Sequence, residues 1–172
     1  NKEIGVFAHK MDHNIDCFGY RVIEKDKRRI NTPYTNKLKI PAGPLLGKLQ
    51  DNKSIKWDGK KITPKDATIV ITGKKVGIIP DTKLCNGCYR VAQDADLLIC
   101  ESTYTSKLIK KANKYFHMTA KDAALVASKS NVKELILTHF STRYKNTQEI
   151  EDEARNFFDK TKCAEDFMKV NL

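Results

Sequence analysis

The chain has 172 residues and a mass of 19.6 kDa, room for one compact domain or part of a larger one. With 40% apolar and 31% charged residues it is not a disordered polypeptide, and no apolar run approaches the roughly 20 residues that span a bilayer. Lys and Arg outnumber Asp and Glu 32 to 21, a net +11, the balance of a protein that meets polyanions; the competing explanation is a Lys-rich surface kept for solubility or heat adaptation. The excess is uneven, because residues 1–75 hold 17 basic and 8 acidic side chains and the remainder is nearly neutral. No charged start, apolar middle and cleavage site mark a signal peptide, so a cytoplasmic location is expected. Five cysteines, an odd number, argue against a disulfide framework and for a reducing compartment.

Residues 4–9 and 18–24 are β-prone runs separated by the turn formers Asp12, His13, Asn14 and Asp16, which predicts two paired strands. Residues 25–66 are Lys-rich and punctuated by Pro33, Pro41, Pro44 and Pro64, so short elements and loops are expected. Ala67 to Thr72 and Val76 to Ile79 read as buried strands or a hairpin joined at Gly73. Asp96 to Cys100 and Leu135 to Thr138 read as buried strands flanking a helix capped by Thr119, a parallel crossover in an α/β architecture. A last helix is predicted from Ile150, Ala154, Phe157 and Phe158 at i, i+4, i+7 and i+8.

Three of the predicted buried strands lead into a residue that binds metals or moves protons: Asp81, Glu101 and His139. In open α/β sheets the carboxyl ends of strands line the ligand crevice, so the coincidence marks a candidate site, with His117 just ahead of the Thr119 helix as a fourth member. Singly, each has an ordinary structural explanation, a turn initiator for Asp81 and a satisfied structural imidazole for His139. Imidazole and carboxylate together suit zinc, but the set is smaller than a catalytic centre needs, and neither His-x-His-x-Asp-His nor His-Glu-x-x-His occurs. Cys85-Asn-Gly-Cys88 has the spacing of half a zinc clasp with nothing to complete it, and is read as structural.

Ile79-Pro80-Asp81-Thr82, the run Ala95 to Tyr104 (ADLLICESTY), His117-Met118-Thr119-Ala120 and the run Leu137 to Tyr144 (LTHFSTRY) resemble, in order and spacing, the C-terminal half of ribonuclease Z, the tRNA 3′-processing endonuclease of the metallo-β-lactamase fold. His13 with Phe18-Gly19-Tyr20-Arg21, and Ile40-Pro41-Ala42-Gly43-Pro44, resemble the same family. The resemblance implies half of an αββα sandwich, residues 1–172 being the C-terminal portion of a single domain whose N-terminal half, with the His-x-His-x-Asp-His box, is absent. It further implies two zinc ions per complete site and a homodimer acting on precursor tRNA.

Residue by residue, the resemblance makes Asp81 the carboxylate bridging the metals, His139 a terminal ligand, His117 the catalytic imidazole that protonates the departing 3′ oxygen, and Glu101 its orienting partner. Arg143 is left as a phosphate contact or a structural fork, and His13 as a supporting or turn residue. Pro80 stands where the family usually has Gly. The basic first half, with Lys48, Lys53, Lys56, Lys60 and Lys61, is expected to meet the RNA backbone. Taken alone the chain is expected to be inactive and to expose the inner face of its sheet as an apolar patch. The rival expectations are a metallo-β-lactamase-fold hydrolase of another anionic ester and a non-catalytic RNA-binding fragment.

Overall fold

A computed structural model describes residues 4–172. In chain order the elements are β1 (Ile4–Lys10), β2 (Phe18–Glu24), β3 (Lys27–Ile30), α1 (Thr32–Lys37), α2 (Pro44–Gln50), β4 (Ile55–Trp57), β5 (Lys60–Ile62), α3 (Pro64–Ala67) and β6 (Thr68–Ile71). There follow β7 (Lys75–Ile79), α4 (Asn86–Ala92), β8 (Leu97–Glu101), α5 (Ile109–Lys114), α6 (Ala120–Lys129), β9 (Leu135–Thr138), α7 (Gln148–Arg155) and β10 (Thr161–Cys163). They fall into two compact units, a larger one up to Glu24 and from Lys74 onward, and a smaller one over Lys25–Gly73.

The larger unit is built on a six-stranded sheet in the order β1-β2-β7-β8-β9-β10. β1 pairs antiparallel with β2 and β2 antiparallel with β7, while β7 through β10 are parallel. The predicted crossover is present: β8 returns through α6 to its parallel neighbour β9. α6 starts on a capping box in which Thr119 Oγ1 accepts from Asp122 N and the Asp122 carboxylate accepts from Thr119 N and Oγ1, worth about 1 kcal/mol. Its Ala120, Ala123, Ala124 and Ala127 are fully buried, because small side chains let the helix lie close on the sheet.

The period of two along the strands divides the sheet into two unlike faces. Gly77, Ile79, Leu98, Cys100, Leu135, Leu137 and Cys163 share the face packed under Cys88 and Val91 of α4, the alanines of α6, and Ile150 and Ala154 of α7. The other face carries Val6, Tyr20 and Ile78, exposed at 61%, 43% and 37%. The arrangement is that of half of an αββα sandwich, its second face open over β1, β2 and β7 and closed further along, where Leu97 and Ile136 are buried.

In the smaller unit β3 pairs with β6 and β4 with β5, around Ile40, Leu49, Ile55, Ile62 and Ala67. Here the structure corrects the sequence. β6 and β7 do not form a hairpin: β6 pairs with β3 and β7 joins the large sheet. Nor is β6 buried, since Ile69, Val70 and Ile71 are all more than 40% exposed; a short β-branched run looks the same in sequence whether or not anything covers it. The last helix also ends earlier, at Arg155, leaving Phe157 and Phe158 beyond it.

Gly77 is where α4 comes closest to β7. A Cβ there would stand 2.9 Å from the Val91 carbonyl oxygen and 2.9 Å from Leu98 Cδ1, so the backbone as well as a side chain must move. Gly77→Ala is expected to lower stability by about 1–3 kcal/mol, read from the urea midpoint. Gly47→Ala, inside α2 where a Cβ meets nothing within 4 Å, serves as the control and should hold or slightly raise it.

Candidate metal centre

The parallel strands deliver the predicted residues to one place. Glu101 ends β8, Asp81 follows β7 and His139 follows β9 directly. Glu101 is 0% exposed and accepts four hydrogen bonds. Oε1 takes Thr82 N at 2.8 Å and His117 Nδ1 at 2.8 Å; Oε2 takes Thr103 Oγ1 at 2.7 Å and Thr103 N at 3.2 Å. Four donors satisfy the acceptor sites of an ionised carboxylate, which makes its burial tolerable.

Those bonds fix the imidazoles. Thr103 spends its only hydroxyl proton on Glu101, so its oxygen accepts from His139 Nδ1, 2.8 Å away. In the neutral ring Nε2 then holds the lone pair, and it faces Asp81 Oδ1 at 3.3 Å. Two acceptors facing each other at that distance call for a cation or a proton between them. His117 donates Nδ1–H to Glu101 and likewise keeps Nε2 free. One ligating atom each from Asp81, His117 and His139 lies within 4.8 Å of the others.

A third imidazole stands beside this group. His13, in the turn between β1 and β2, donates Nδ1–H to the Phe116 carbonyl at 3.1 Å, and its ring centroid is 5.5 Å from that of His117. The turn is held by Thr82, whose hydroxyl accepts from Asp12 N at 2.9 Å, and by Lys83 N on Asp12 O at 2.8 Å. Phe116 has φ +61° and His139 φ +58°, left-handed backbone that is a true outlier for a residue as bulky as Phe. Lys83 Nζ lies 4.0 Å over the Phe116 ring and helps hold that turn. His117 and His139 thus have Nδ1 tied to a protein acceptor and Nε2 available, the arrangement in which histidines bind metals. The donor set fits a metal ion.

The sequence reading left His13 a supporting or turn residue; in the structure it lies in the β1–β2 turn with its ring beside that of His117. Its partner is 103 residues away along the chain, a contact that no local pattern announces. At Cys17, at the end of the same turn, burial first, then the charges of Asp81 and Glu101, push the thiol up. Arg143 stands at the rim, exposed, with Nε on Ser141 Oγ at 3.3 Å and its guanidinium 5.5 Å over the Tyr104 ring, itself 6.3 Å from His117. Lys48, Lys53, Lys56, Lys60 and Lys61 belong to the smaller unit and are all exposed.

A half-sandwich with Asp and His side chains at the ends of its parallel strands defines the metallo-β-lactamase class. A solved metallo-β-lactamase-fold protein, YhfI of Bacillus subtilis, matches with a TM-score of 0.59 at 17% identity, over 94% of this chain and 46% of that one. In sequence the chain is similar to curated ribonuclease Z proteins. It is 38% identical over 167 residues to ribonuclease Z of Protochlamydia amoebophila, covering 94% of this chain and 54% of the relative. With that of Archaeoglobus fulgidus it shares 39% over 174 residues, 97% of this chain and 56% of the relative. The chain thus spans about half the length of the curated relatives it matches. No family model matches it.

Thr103 is the joint between Glu101 and His139. Thr103→Val keeps the shape but removes a donor from Glu101 and the acceptor from His139 Nδ1. It should destabilise by about 1–3 kcal/mol and weaken metal binding about 10- to 100-fold, measured by urea unfolding and by competition with a chromophoric chelator; Thr103→Ser should retain both properties.

Proposed function

We propose that this chain is part of a zinc-dependent endoribonuclease that removes the 3′ trailer from precursor tRNA. The observation that carries the reading is the group of Asp81, His117 and His139, whose ligating atoms lie within 4.8 Å of one another, both imidazoles being anchored through Nδ1. The ribonuclease Z relatives supply the substrate class. Residues 1–172 form the C-terminal portion of one metallo-β-lactamase-fold domain, with Lys25–Gly73 inserted between two neighbouring strands of its sheet. The N-terminal half, bearing the His-x-His-x-Asp-His box, packs on the open face that carries Val6, Tyr20 and Ile78. The complete protein is a cytoplasmic homodimer; no helix among the described residues is long and apolar enough to cross a membrane.

Asp81 and His139 would hold the zinc, Asp81 as the carboxylate shared between the ions and His139 as a further ligand, with His13 a supporting residue in the β1–β2 turn. Zinc held there supplies Lewis-acid polarisation of the phosphoryl group and a water acidic enough to attack near neutral pH. His117 delivers the proton to the departing ribose 3′ oxygen from Nε2. Glu101 holds its ring through Nδ1 and so orients Nε2. Arg143, exposed beside Tyr104, meets a substrate phosphate.

The smaller unit binds the RNA backbone. Its 49 residues carry twelve Lys and Arg against four Asp and Glu, a net +8 of the chain's +11. In the β4–β5 hairpin Lys56 stands directly opposite Lys61, a like-charge pair that is unfavourable until an anion comes between them.

In the complete protein, Asp81→Ala should lose both zinc and cleavage of a labelled precursor tRNA. His117→Ala should keep zinc while cleavage slows by about 10² to 10⁴. Elemental analysis separates the two roles, and zinc lost from the His117 variant would make that residue a ligand and not the acid. An Asp81→Ala protein with full zinc and ordinary cleavage would sink the assignment. An intact enzyme that hydrolyses other phosphodiesters but not precursor tRNA would instead favour the rival hydrolase.

Log affinity for tRNA should fall linearly with log salt, and charge reversal at Lys48, Lys53, Lys56, Lys60 and Lys61 should flatten that slope. Reversal at Lys160, Lys162 and Lys169 should leave it unchanged. Equal effects from both sets would reduce the basic unit to a solvated surface.

A further inference from the structure

Cys85 and Cys88 flank the first turn of α4, with Cys85 at its N-cap, and their sulfur atoms are 3.7 Å apart. Cys85 is half-buried, whereas Cys88 is 0% exposed and its sulfur lies 3.8 Å from the Lys83 carbonyl oxygen. An accessible sulfur in contact with a sheltered one, two residues intervening, is the arrangement that thiol–disulfide exchange requires. Nothing else within the cluster uses these groups: the metal set of Asp81, His117 and His139 contains neither, and no disulfide is present. We propose that Cys85 and Cys88 are an exchange pair that closes reversibly into an intramolecular disulfide when it meets a low-molecular-weight disulfide.

The Cys85 sulfur, as thiolate, attacks one sulfur of the small disulfide; that S–S bond breaks, one small thiolate leaves, and a mixed disulfide forms on Cys85. The Cys88 sulfur then attacks the Cys85 sulfur and expels the second small thiolate. The two protons given up by the cysteines end on the two small thiolates, so the protein dithiol is oxidised and the small disulfide is reduced to two thiols. Burial pushes the Cys88 thiol up to about 12, which assigns the opening attack to Cys85 and leaves Cys88 as the resolving partner. Forming the bond shortens the sulfur separation from 3.7 Å to about 2.05 Å, a displacement within reach of side-chain rotation and a small shift of the turn. The Cys85 sulfur is also 3.9 Å from Thr82 Oγ1. Exchange therefore takes place against the segment that follows Asp81 and whose Thr82 N–H rests on Glu101.

The test exposes the complete protein to excess oxidised glutathione under native conditions, quenches in acid, alkylates under denaturing conditions and maps the peptides. Trypsin releases both sulfurs on the single peptide Leu84–Arg90. That peptide should be two hydrogens lighter and unalkylated, and dithiothreitol should restore it. Cys88→Ser should stop at one glutathione on Cys85, and Cys85→Ser should leave Cys88 unmodified. Native-state protection of the buried Cys100 and Cys163 from alkylation, followed in parallel, shows that each variant is folded. Full alkylation of both cysteines after glutathione, a persistent glutathione adduct on Cys85 in the parent, or a disulfide to Cys17 would each overturn the proposal. The test needs neither zinc nor RNA, so its outcome is independent of the endoribonuclease reading.

Discussion

Everything at the candidate centre depends on one buried carboxylate. Removing Glu101 from water costs several kcal/mol unless its acceptor sites are filled, and here they are filled by donors from three places in the chain: Thr82 beyond β7, Thr103 beyond β8, and His117 ahead of α6. Through Thr103 the same charge also sets His139 beyond β9. The ends of three adjacent parallel strands are thereby registered to one another at the point where their loops would otherwise be free. A Gln at 101 would bring an amide N–H₂ into a pocket where every neighbour is already a donor, so the geometry is specific to a carboxylate.

The two units divide the chemical labour along the sequence. Basic residues are concentrated between Lys25 and Gly73, outside the segments that build the large sheet. The large sheet shows the complementary economy: small residues, Gly77 and the alanines of α6, where helices lie on it, and uncovered Val6, Tyr20 and Ile78 where none do.

What could be read from the sequence was what is local. Asp81, Glu101 and His139 were visible because a buried strand is a short apolar run and the residue after it is easily counted; Thr119 was visible because a capping residue stands next to the helix it starts. The error at β6 has the same origin, since Ile69, Val70 and Ile71 have the composition of a buried strand whichever strand they pair with and whether or not they are covered. His13 was harder, because its part depends on the Phe116 carbonyl, offered by a left-handed residue on the far side of the sequence. The nearness of Cys85 and Cys88 was legible as spacing, but that one sulfur is sheltered and the other accessible required the packing of α4.

The anchoring of Nδ1 bears on affinity where the imidazole is a ligand, as at His139, and on orientation where it is the proton donor, as at His117. A free histidine exchanges protons between its two ring nitrogens and rotates about two bonds, so a ligand set left to itself loses that freedom when a metal arrives. Here the freedom has been removed in advance by partners that are themselves fixed: a saturated carboxylate for His117, a hydroxyl whose proton is committed for His139, and a backbone carbonyl for His13. The strain of the left-handed Phe116 and His139 is borne by folding and not by binding. A site prepared in this way meets its ion with the right tautomers already selected. The residues that tune it are therefore Thr103, Phe116 and Glu101, none of which the cluster of Asp81, His117 and His139 includes.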